Sequence, residues 1–284
     1  MINALKLVRA AFGMVSPEEI RRRAGRTIHF GLVADHEEAF LEMESFLIPA
    51  GAPAAARERL RGLVHRADAP DVPARVDFAL YQDGAAAPDG AYTFDHEEPE
   101  RTAAEIVRKN DDAALALARQ FPAFRATVAE RIIHIAAFEN LLFSVATALP
   151  DVIPSMVELP WAFGEFASDT AFLTLNQIRM AFLIAAACGR EVGISDQRAE
   201  IAGIAAGAFG WRAIARELAG KIPFGGGLGP KGAIAYAVTY GIGKGLERYY
   251  QARTPFTRAE RREIYQGAYA RGKLAAQELG RTGK

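Results

Sequence analysis

Residues 138–250 limit the possible folds of this chain more than any other part, because they are apolar and follow a helical pattern. Their uninterrupted apolar stretches are each bounded by charged residues: 180–189, 201–211 and 232–243. A helix that crosses a membrane needs about 18 or more consecutive apolar residues. These shorter stretches therefore predict helices that are buried in a protein core, and a partly inserted hairpin stays open as the alternative.

Two strand-like segments flank a helical segment near the start of the chain. Residues 27–34 and 75–81 are short apolar runs, which are typical of buried strands. Between them, Asp35 and Glu38 form a capping pair that predicts the start of a helix running to about Ile48. Strand, helix and strand at this spacing predict a small parallel α/β unit.

Beyond this unit, from Glu100 onward, the sequence pattern predicts helices almost exclusively. The expected fold is therefore mainly α (α+β overall), with a small parallel α/β unit within residues 1–120. A packed multi-helix domain follows in residues 121–284. Its last helix is basic and is expected to begin with a capping pair of Thr257 and Glu260.

The overall charge is balanced, with 34 Lys and Arg against 34 Asp and Glu. A neutral chain lacks the excess cations that neutralise phosphates, so we expect no nucleic-acid partner. Only residues 251–284 are clearly basic, and they form either a solvated helix face or a contact for an acidic partner or anionic lipid. Residues 2–15 carry an amphipathic stripe, which predicts either a helix packed on the domain or a cationic helix on a membrane surface.

Cysteine usage and the first residues bear on the compartment. Cys188 is the only cysteine, which excludes an intrachain disulfide and fits a reducing compartment. Residues 1–9 have charges within their apolar stretch, so they lack the uninterrupted apolar segment of a secretory signal. We expect a cytoplasmic protein, with peripheral attachment to the inner face of the cell membrane as an open alternative.

Gly31 follows the first predicted strand residues, where a phosphate-binding loop could begin. Such a loop needs Gly, four further residues, and then Gly-Lys-Ser/Thr. Here the last three positions hold His36, Glu37 and Glu38, and the two carboxylates would repel phosphate. Residues 109–112 contain the residue types of the guanine-binding motif Asn-Lys-x-Asp, but in the wrong order. We interpret this similarity as chance. No nucleotide is expected to bind.

Glycines in the helical half have a structural interpretation. The run at 225–232 lacks phosphate-loop spacing and lies between two predicted helices, so it predicts a tight chain reversal. Gly203 and Gly207 are four residues apart, as are Gly241 and Gly245. Small residues at this spacing predict close approach of helix backbones.

Titratable residues give no recognisable catalytic set. The tetrapeptide Asp-His-Glu-Glu occurs at 35–38 and 95–98, and we interpret both copies as helix starts and not as a metal site. Glu130 and His134 share a helical face, which predicts a local hydrogen bond more than a catalytic dyad. Cys188 lies in an apolar stretch and is expected to be inert. The sequence thus predicts no catalytic, cofactor-binding or metal-binding residue.

A few polar residues lie among apolar neighbours in the helical domain. A buried charge costs free energy unless it is paired, so we expect Arg179 to form an ion pair with one of the acids. The alternative is an enzyme or ligand-binding site whose polar groups meet only in three dimensions, around Glu139, Glu158 and Arg179.

An ordered set of short motifs within 138–250 carries a family resemblance. These are Leu-Pro-Asp-Val-Ile-Pro at 149–154, Leu-Asn-Gln-Ile-Arg-Met at 175–180, Ile-Pro before the glycine run, and Ala-Val-Thr-Tyr-Gly-Ile-Gly at 237–243. They resemble the YcjF-like domain of unknown function of bacterial proteins, except that Cys188 stands where an aromatic residue would precede the glycine. The resemblance implies membrane association and a link to GTPases, and it transfers no catalytic residue.

The N-terminal strand, helix and strand resemble the opening of a GTPase-like fold without its nucleotide motifs. The membrane proteins of the YcjF-like family carry clear spanning helices ahead of the domain, and their absence from this sequence argues against integral insertion. We therefore expect a non-enzymatic bacterial protein, a regulatory or scaffolding module that binds a protein partner or a membrane face.

Overall fold

The structure is a computed structural model and describes residues 16–67, 76–146, 169–206 and 228–282. These residues fall into two compact units. The α/β unit comprises Glu18–Ala129 and Ala186–Glu191, and the remaining described residues form the helical unit. The predicted fold class, mainly α with a small parallel α/β unit, is confirmed.

Some sequence predictions fall on residues outside these ranges. They are the amphipathic stripe at 2–15, the first glycines of the run at 225–232, Gly207 of one glycine pair, and Glu158 of the alternative polar site. Each of them stays a prediction.

The α/β unit alternates short helices with short strands. Its elements are α1 (Pro17–Ala24), β1 (Phe30–Val33), α2 (Glu37–Leu47), α3 (Ala54–Arg61), β2 (Val64–Arg66), β3 (Phe78–Tyr81), β4 (Tyr92–Thr93), α4 (Pro99–Lys109), α5 (Ala114–Gln120) and a 3₁₀ turn at Pro122–Phe124. The helices α4 and α5 are separate elements. Asn110 separates them, because its side-chain Nδ2 donates to the carbonyl oxygen of Ile106 at 2.8 Å and ends α4.

The four strands form one parallel sheet in the order β2-β1-β3-β4. Phe30 of β1 lies opposite Val64 of β2 on one side and Phe78 of β3 on the other. The predicted strands at 27–34 and 75–81 are confirmed as β1 and β3, although each is shorter than predicted. Sequence reasoning missed β2 and β4, since three and two residues are too few to form an apolar run.

Aromatic side chains fill the core of the α/β unit. Phe30 is fully buried, and its ring centroid lies 5.1 Å from that of Phe121 and 5.3 Å from that of Phe78. Phe124 packs on the same ring at 5.9 Å. The 3₁₀ turn between Phe121 and the next helix thus supplies part of the cover over β1, and burial of these rings is the main source of cohesion here.

The helical unit contains longer elements. They are α6 (Arg125–Ala146), whose first turn belongs to the α/β unit, α7 (Asp169–Ala187), α8 (Arg198–Ala206), α9 (Leu228–Ala252) and α10 (Arg258–Thr282). The predicted cap of α10 is confirmed, because Glu260 Oε2 accepts from the Thr257 backbone N–H at 2.7 Å and Thr257 Oγ1 accepts from the Glu260 backbone N–H at 3.2 Å. None of the helices in the described residues is long and apolar enough to cross a membrane.

Glycines allow α9 to lie close to its neighbours. A Cβ atom built on Gly243 of α9 would come within 2.6 Å of the buried Ile133 side chain of α6. On α10, a Cβ atom on Gly272 would lie 2.9 Å from the Cβ of Tyr236 and 3.1 Å from the Cα of Ala233. Close approach therefore occurs at Gly243 and Gly272. The predicted glycine pairs at 203/207 and 241/245 stay predictions.

Substitution of glycine on α10 tests this packing. Gly272→Ala is expected to destabilise the chain by about 1–2 kcal/mol, because the added methyl group overpacks the contact with α9. Gly267→Ala on the same helix is the matched control, since nothing lies within 4 Å of its built Cβ. The control should stabilise by about 0.5–1 kcal/mol through helix propensity. Stability is measured by denaturant unfolding of both variants. Equal stabilisation by the two substitutions would contradict this packing.

Candidate functional site

Side-chain hydrogen bonds surround the carboxyl end of β1, the position at which the sequence lacks a phosphate-binding loop. The Asp35 backbone N–H donates to Gln82 Oε1 at 2.7 Å, and Gln82 Nε2 donates back to Asp35 Oδ2 at 2.9 Å. His36 is the N-cap of α2, and its Nδ1 accepts from the Ala39 backbone N–H at 3.2 Å. The prediction that Asp35 caps this helix is therefore wrong, because its carboxylate binds Gln82 instead.

Acidic side chains surround the same helix start. Glu37 and Glu38 occupy the first turn of α2, and Glu37 forms an ion pair with Arg66 of β2 at 2.5 Å. A helix N-terminus binds anions through free backbone N–H groups and a positive dipole end. Here a side chain uses one of those donors, and carboxylates offset the dipole, so the local chemistry opposes phosphate binding.

The second Asp-His-Glu-Glu copy borders a cleft of about 550 Å³ at the carboxyl ends of β3 and β4. Asp95 Oδ1 accepts from the Glu98 backbone N–H at 2.8 Å just before α4. The N-cap residue Glu98 makes no side-chain capping hydrogen bond, so the capping interpretation is not confirmed for this copy. His96 Nδ1 lies 3.8 Å from Asp83 Oδ2 across the cleft. Within the part of the chain that the structure describes, no group of His, Cys, Asp and Glu side chains has the arrangement to hold a metal ion.

The predicted ion pair of Arg179 is confirmed. Arg179 Nη2 donates to Glu139 Oε2, with about four-fifths of each side chain buried. The two residues named for an alternative polar site therefore neutralise each other. The third, Glu158, lies outside the described residues.

A different set of polar residues meets in the helical unit, and we call it the tyrosine cluster. Glu130 and His134 lie one turn apart on α6, and Arg271 lies on α10. On α9, successive turns carry Tyr236, Tyr240 and Lys244. Residues four apart share one helix face. The α6 face therefore meets the α9 face along two successive turns.

Glu130 is the acceptor at the centre of the tyrosine cluster. The Tyr240 hydroxyl donates to Glu130 Oε1 at 2.6 Å, and Lys244 Nζ donates to Glu130 Oε2 at 3.3 Å. Lys244 also pairs with Glu247 at 2.5 Å. The guanidinium of Arg271 lies over the Tyr240 ring, 4.4 Å from its centroid.

His134 contacts the second tyrosine. Its Nδ1 lies 2.6 Å from the Tyr236 hydroxyl, and its Nε2 lies 3.6 Å from Glu130 Oε1. The predicted local hydrogen bond between Glu130 and His134 is wrong, because 3.6 Å is too long. Each residue instead bonds to a tyrosine of α9.

Burial and neighbouring charges set the protonation of these groups. Burial raises the pKa of Tyr236 to about 12, so its hydroxyl keeps its proton at neutral pH. Burial lowers the pKa of His134, and its neutral ring can accept a hydrogen bond from this hydroxyl at Nδ1. Burial alone would raise the pKa of Glu130, but the Tyr240 hydrogen bond and the Lys244 charge together hold it below its ordinary value.

The tyrosine cluster thus contains two hydrogen-bonded pairs, Tyr236 with His134 and Tyr240 with Glu130. With Tyr236 donating to Nδ1, the ring proton of His134 lies on Nε2 and faces the Glu130 carboxylate from 3.6 Å, beyond hydrogen-bonding distance. The cluster contains no activated Ser or Cys nucleophile.

Sequence reasoning found only the pair Glu130 and His134 of this cluster, as residues that share one helical face. Their partners Tyr240 and Tyr236 lie 110 and 102 residues away, respectively, so no local pattern joined the two helices.

Comparison with known proteins adds no assignment. No family model, curated protein or solved structure matches the chain. The YcjF-like resemblance of residues 138–250 therefore stays a prediction.

The lowered pKa of His134 predicts a pH-dependent stability. Below its ordinary value of 6.5, the unfolded chain binds the histidine proton more readily than the folded chain does. This contribution to stability is therefore complete above pH 6.5 and is lost as the pH falls below that value. His134→Gln should flatten this part of the curve of unfolding free energy against pH. If the slope of unfolding free energy against pH just below pH 6.5 is the same in the variant, His134 does not cause the loss of stability.

Proposed function

We propose that this chain is a non-enzymatic regulatory or scaffolding protein that binds a protein partner or the inner face of the cell membrane. The observation that carries the proposal is the reciprocal hydrogen bonding of Asp35 and Gln82 at the carboxyl edge of the sheet. This contact lies at the position where a related α/β domain would hold a nucleotide.

The topology of the sheet explains why the contact between Asp35 and Gln82 bears on nucleotide binding. In open parallel sheets, ligands bind outside the carboxyl ends of the strands, at the point where the strand order reverses. The order β2-β1-β3-β4 puts this point between β1 and β3. Asp35 follows β1 and Gln82 follows β3, so their hydrogen-bonded side chains lie at this point of the sheet. This supports a degenerate GTPase-like unit, which keeps the topology of the fold without nucleotide binding.

The helical unit supplies features that suit a binding role. Ile135 and Phe138 lie one turn apart on α6 with 44% and 39% of their surface exposed, which is unusual for large apolar side chains on one helix face. The basic residues of α10, including Arg258 and Lys273, suit an acidic partner or anionic lipid. The YcjF-like resemblance agrees with a GTPase-linked role at the cytoplasmic face of a membrane.

A second candidate function is an enzyme or ligand-binding protein with its polar site in the helical unit. The tyrosine cluster favours it, since five of its titratable groups have shifted pKa values and hydrogen bonds join Tyr240 with Glu130 and Tyr236 with His134. Glu139 and Arg179 do not support this candidate, because they pair with each other.

Titration of the full chain with a fluorescent GTP analogue and Mg²⁺ tests the first proposal. We expect no saturable signal, because carboxylates and the Asp35–Gln82 contact occupy the crevice. An established GTPase measured in parallel provides the positive control. Saturable binding in the micromolar range would contradict the proposal.

Flotation with anionic vesicles then separates the two kinds of binding. Protein that floats at low salt and sinks at high salt favours a membrane surface. Protein that stays at the bottom under both conditions leaves the protein partner as the proposed role.

A further inference from the structure

Four uncharged polar side chains meet in the interior of the helical unit, and we call them the amide cluster. They are Asn140 of α6, Asn176 and Gln177 of α7, and Thr239 of α9, each at most 4% exposed. Three helices thus contribute polar groups to one buried point. Buried polar groups cost free energy unless each finds a hydrogen-bond partner.

The amide hydrogens of the cluster are almost all in use. Asn140 Nδ2 donates to Thr239 Oγ1 at 2.7 Å and to the Leu173 carbonyl at 3.4 Å. Asn176 Nδ2 donates to Asn140 Oδ1 at 3.0 Å and to the Ala136 carbonyl at 3.0 Å. Gln177 Nε2 donates to Thr239 Oγ1 at 3.1 Å. These bonds join all four side chains into one network.

Two acceptors of this network have no donor. Asn176 Oδ1 and Gln177 Oε1 are fully buried and have no hydrogen-bond partner among the residues that the structure describes. Reversing the Asn176 amide would turn its oxygen against the oxygens of Asn140 and Ala136. Reversing the Gln177 amide would exchange an orphan acceptor for an orphan donor. Neither change satisfies every polar atom of the cluster.

We propose that the amide cluster is an internal hydration site, in which ordered water donates to Asn176 Oδ1 and Gln177 Oε1. Water fits because it brings two donors and can also accept, so it serves either orientation of the Gln177 amide. A monovalent or divalent cation fits poorly. It would need about six oxygen ligands, whereas the cluster has two free oxygens beside several amide hydrogens.

This site links α6, α7 and α9 through water as well as through direct contacts. Buried waters of this kind make several hydrogen bonds and are costly to remove. The amide cluster therefore belongs to the packed interior and is distinct from the tyrosine cluster, in which Glu130, His134 and Lys244 are partly exposed. The inference stands independently of the proposed function.

Oxygen-17 magnetic relaxation dispersion on the full chain counts internal waters that exchange more slowly than the protein tumbles. Gln177→Met keeps the volume of the side chain but removes Oε1 and its water partner. We expect this variant to lose the contribution of about one long-lived water. An unchanged dispersion amplitude would overturn the proposal.

Gln197→Met is the matched control. Gln197 is equally buried, but its Oε1 already accepts from the Gly193 backbone N–H at 2.8 Å. This control should leave the dispersion amplitude unchanged. If Gln177→Met fails to fold, a high-resolution crystal structure of the unaltered chain decides. Water density within hydrogen-bonding distance of the two oxygens supports the site, and its absence overturns it.

Discussion

Close contact between α9 and the helices on either side of it is the constraint on which the helical unit depends. At Gly243 and Gly272 there is no room for a Cβ atom without a shift of the neighbouring helix. The short distance between backbones brings the polar side chains of α9 within hydrogen-bonding reach of α6. Tyr240 meets Glu130 at the surface of this contact, and Thr239 meets Asn140 in its interior.

Polar groups inside an apolar unit must be compensated, and the two clusters do this in different ways. The tyrosine cluster is partly exposed, and hydrogen bonds join its charged and neutral groups at the edge of solvent. The amide cluster is fully buried and uses only neutral side chains, which avoids the cost of desolvating a charge. Between these extremes, the charges of Glu139 and Arg179 neutralise each other at a position where both side chains are mostly buried.

Local patterns in the sequence predicted the elements and the contacts that depend on them. The fold class, the parallel pair of β1 and β3, the cap at Thr257 and the pairing of Arg179 followed from periodicity, capping chemistry and the cost of buried charge. The cap of α2 was assigned to the wrong residue, because the carboxylate of Asp35 is drawn to Gln82, which lies 47 residues away. The same limit applies to the tyrosine cluster, whose helices are joined only by tertiary packing.

We propose that the carboxyl edge of the sheet retains the topology of a nucleotide-binding fold but does not bind a nucleotide. Hydrogen–deuterium exchange of the full chain, with and without saturating GTP and Mg²⁺, tests this residue by residue. We expect identical exchange for the backbone amides that follow β1 and β3, around Asp35 and Gln82. Slower exchange of these amides in the presence of GTP would contradict it.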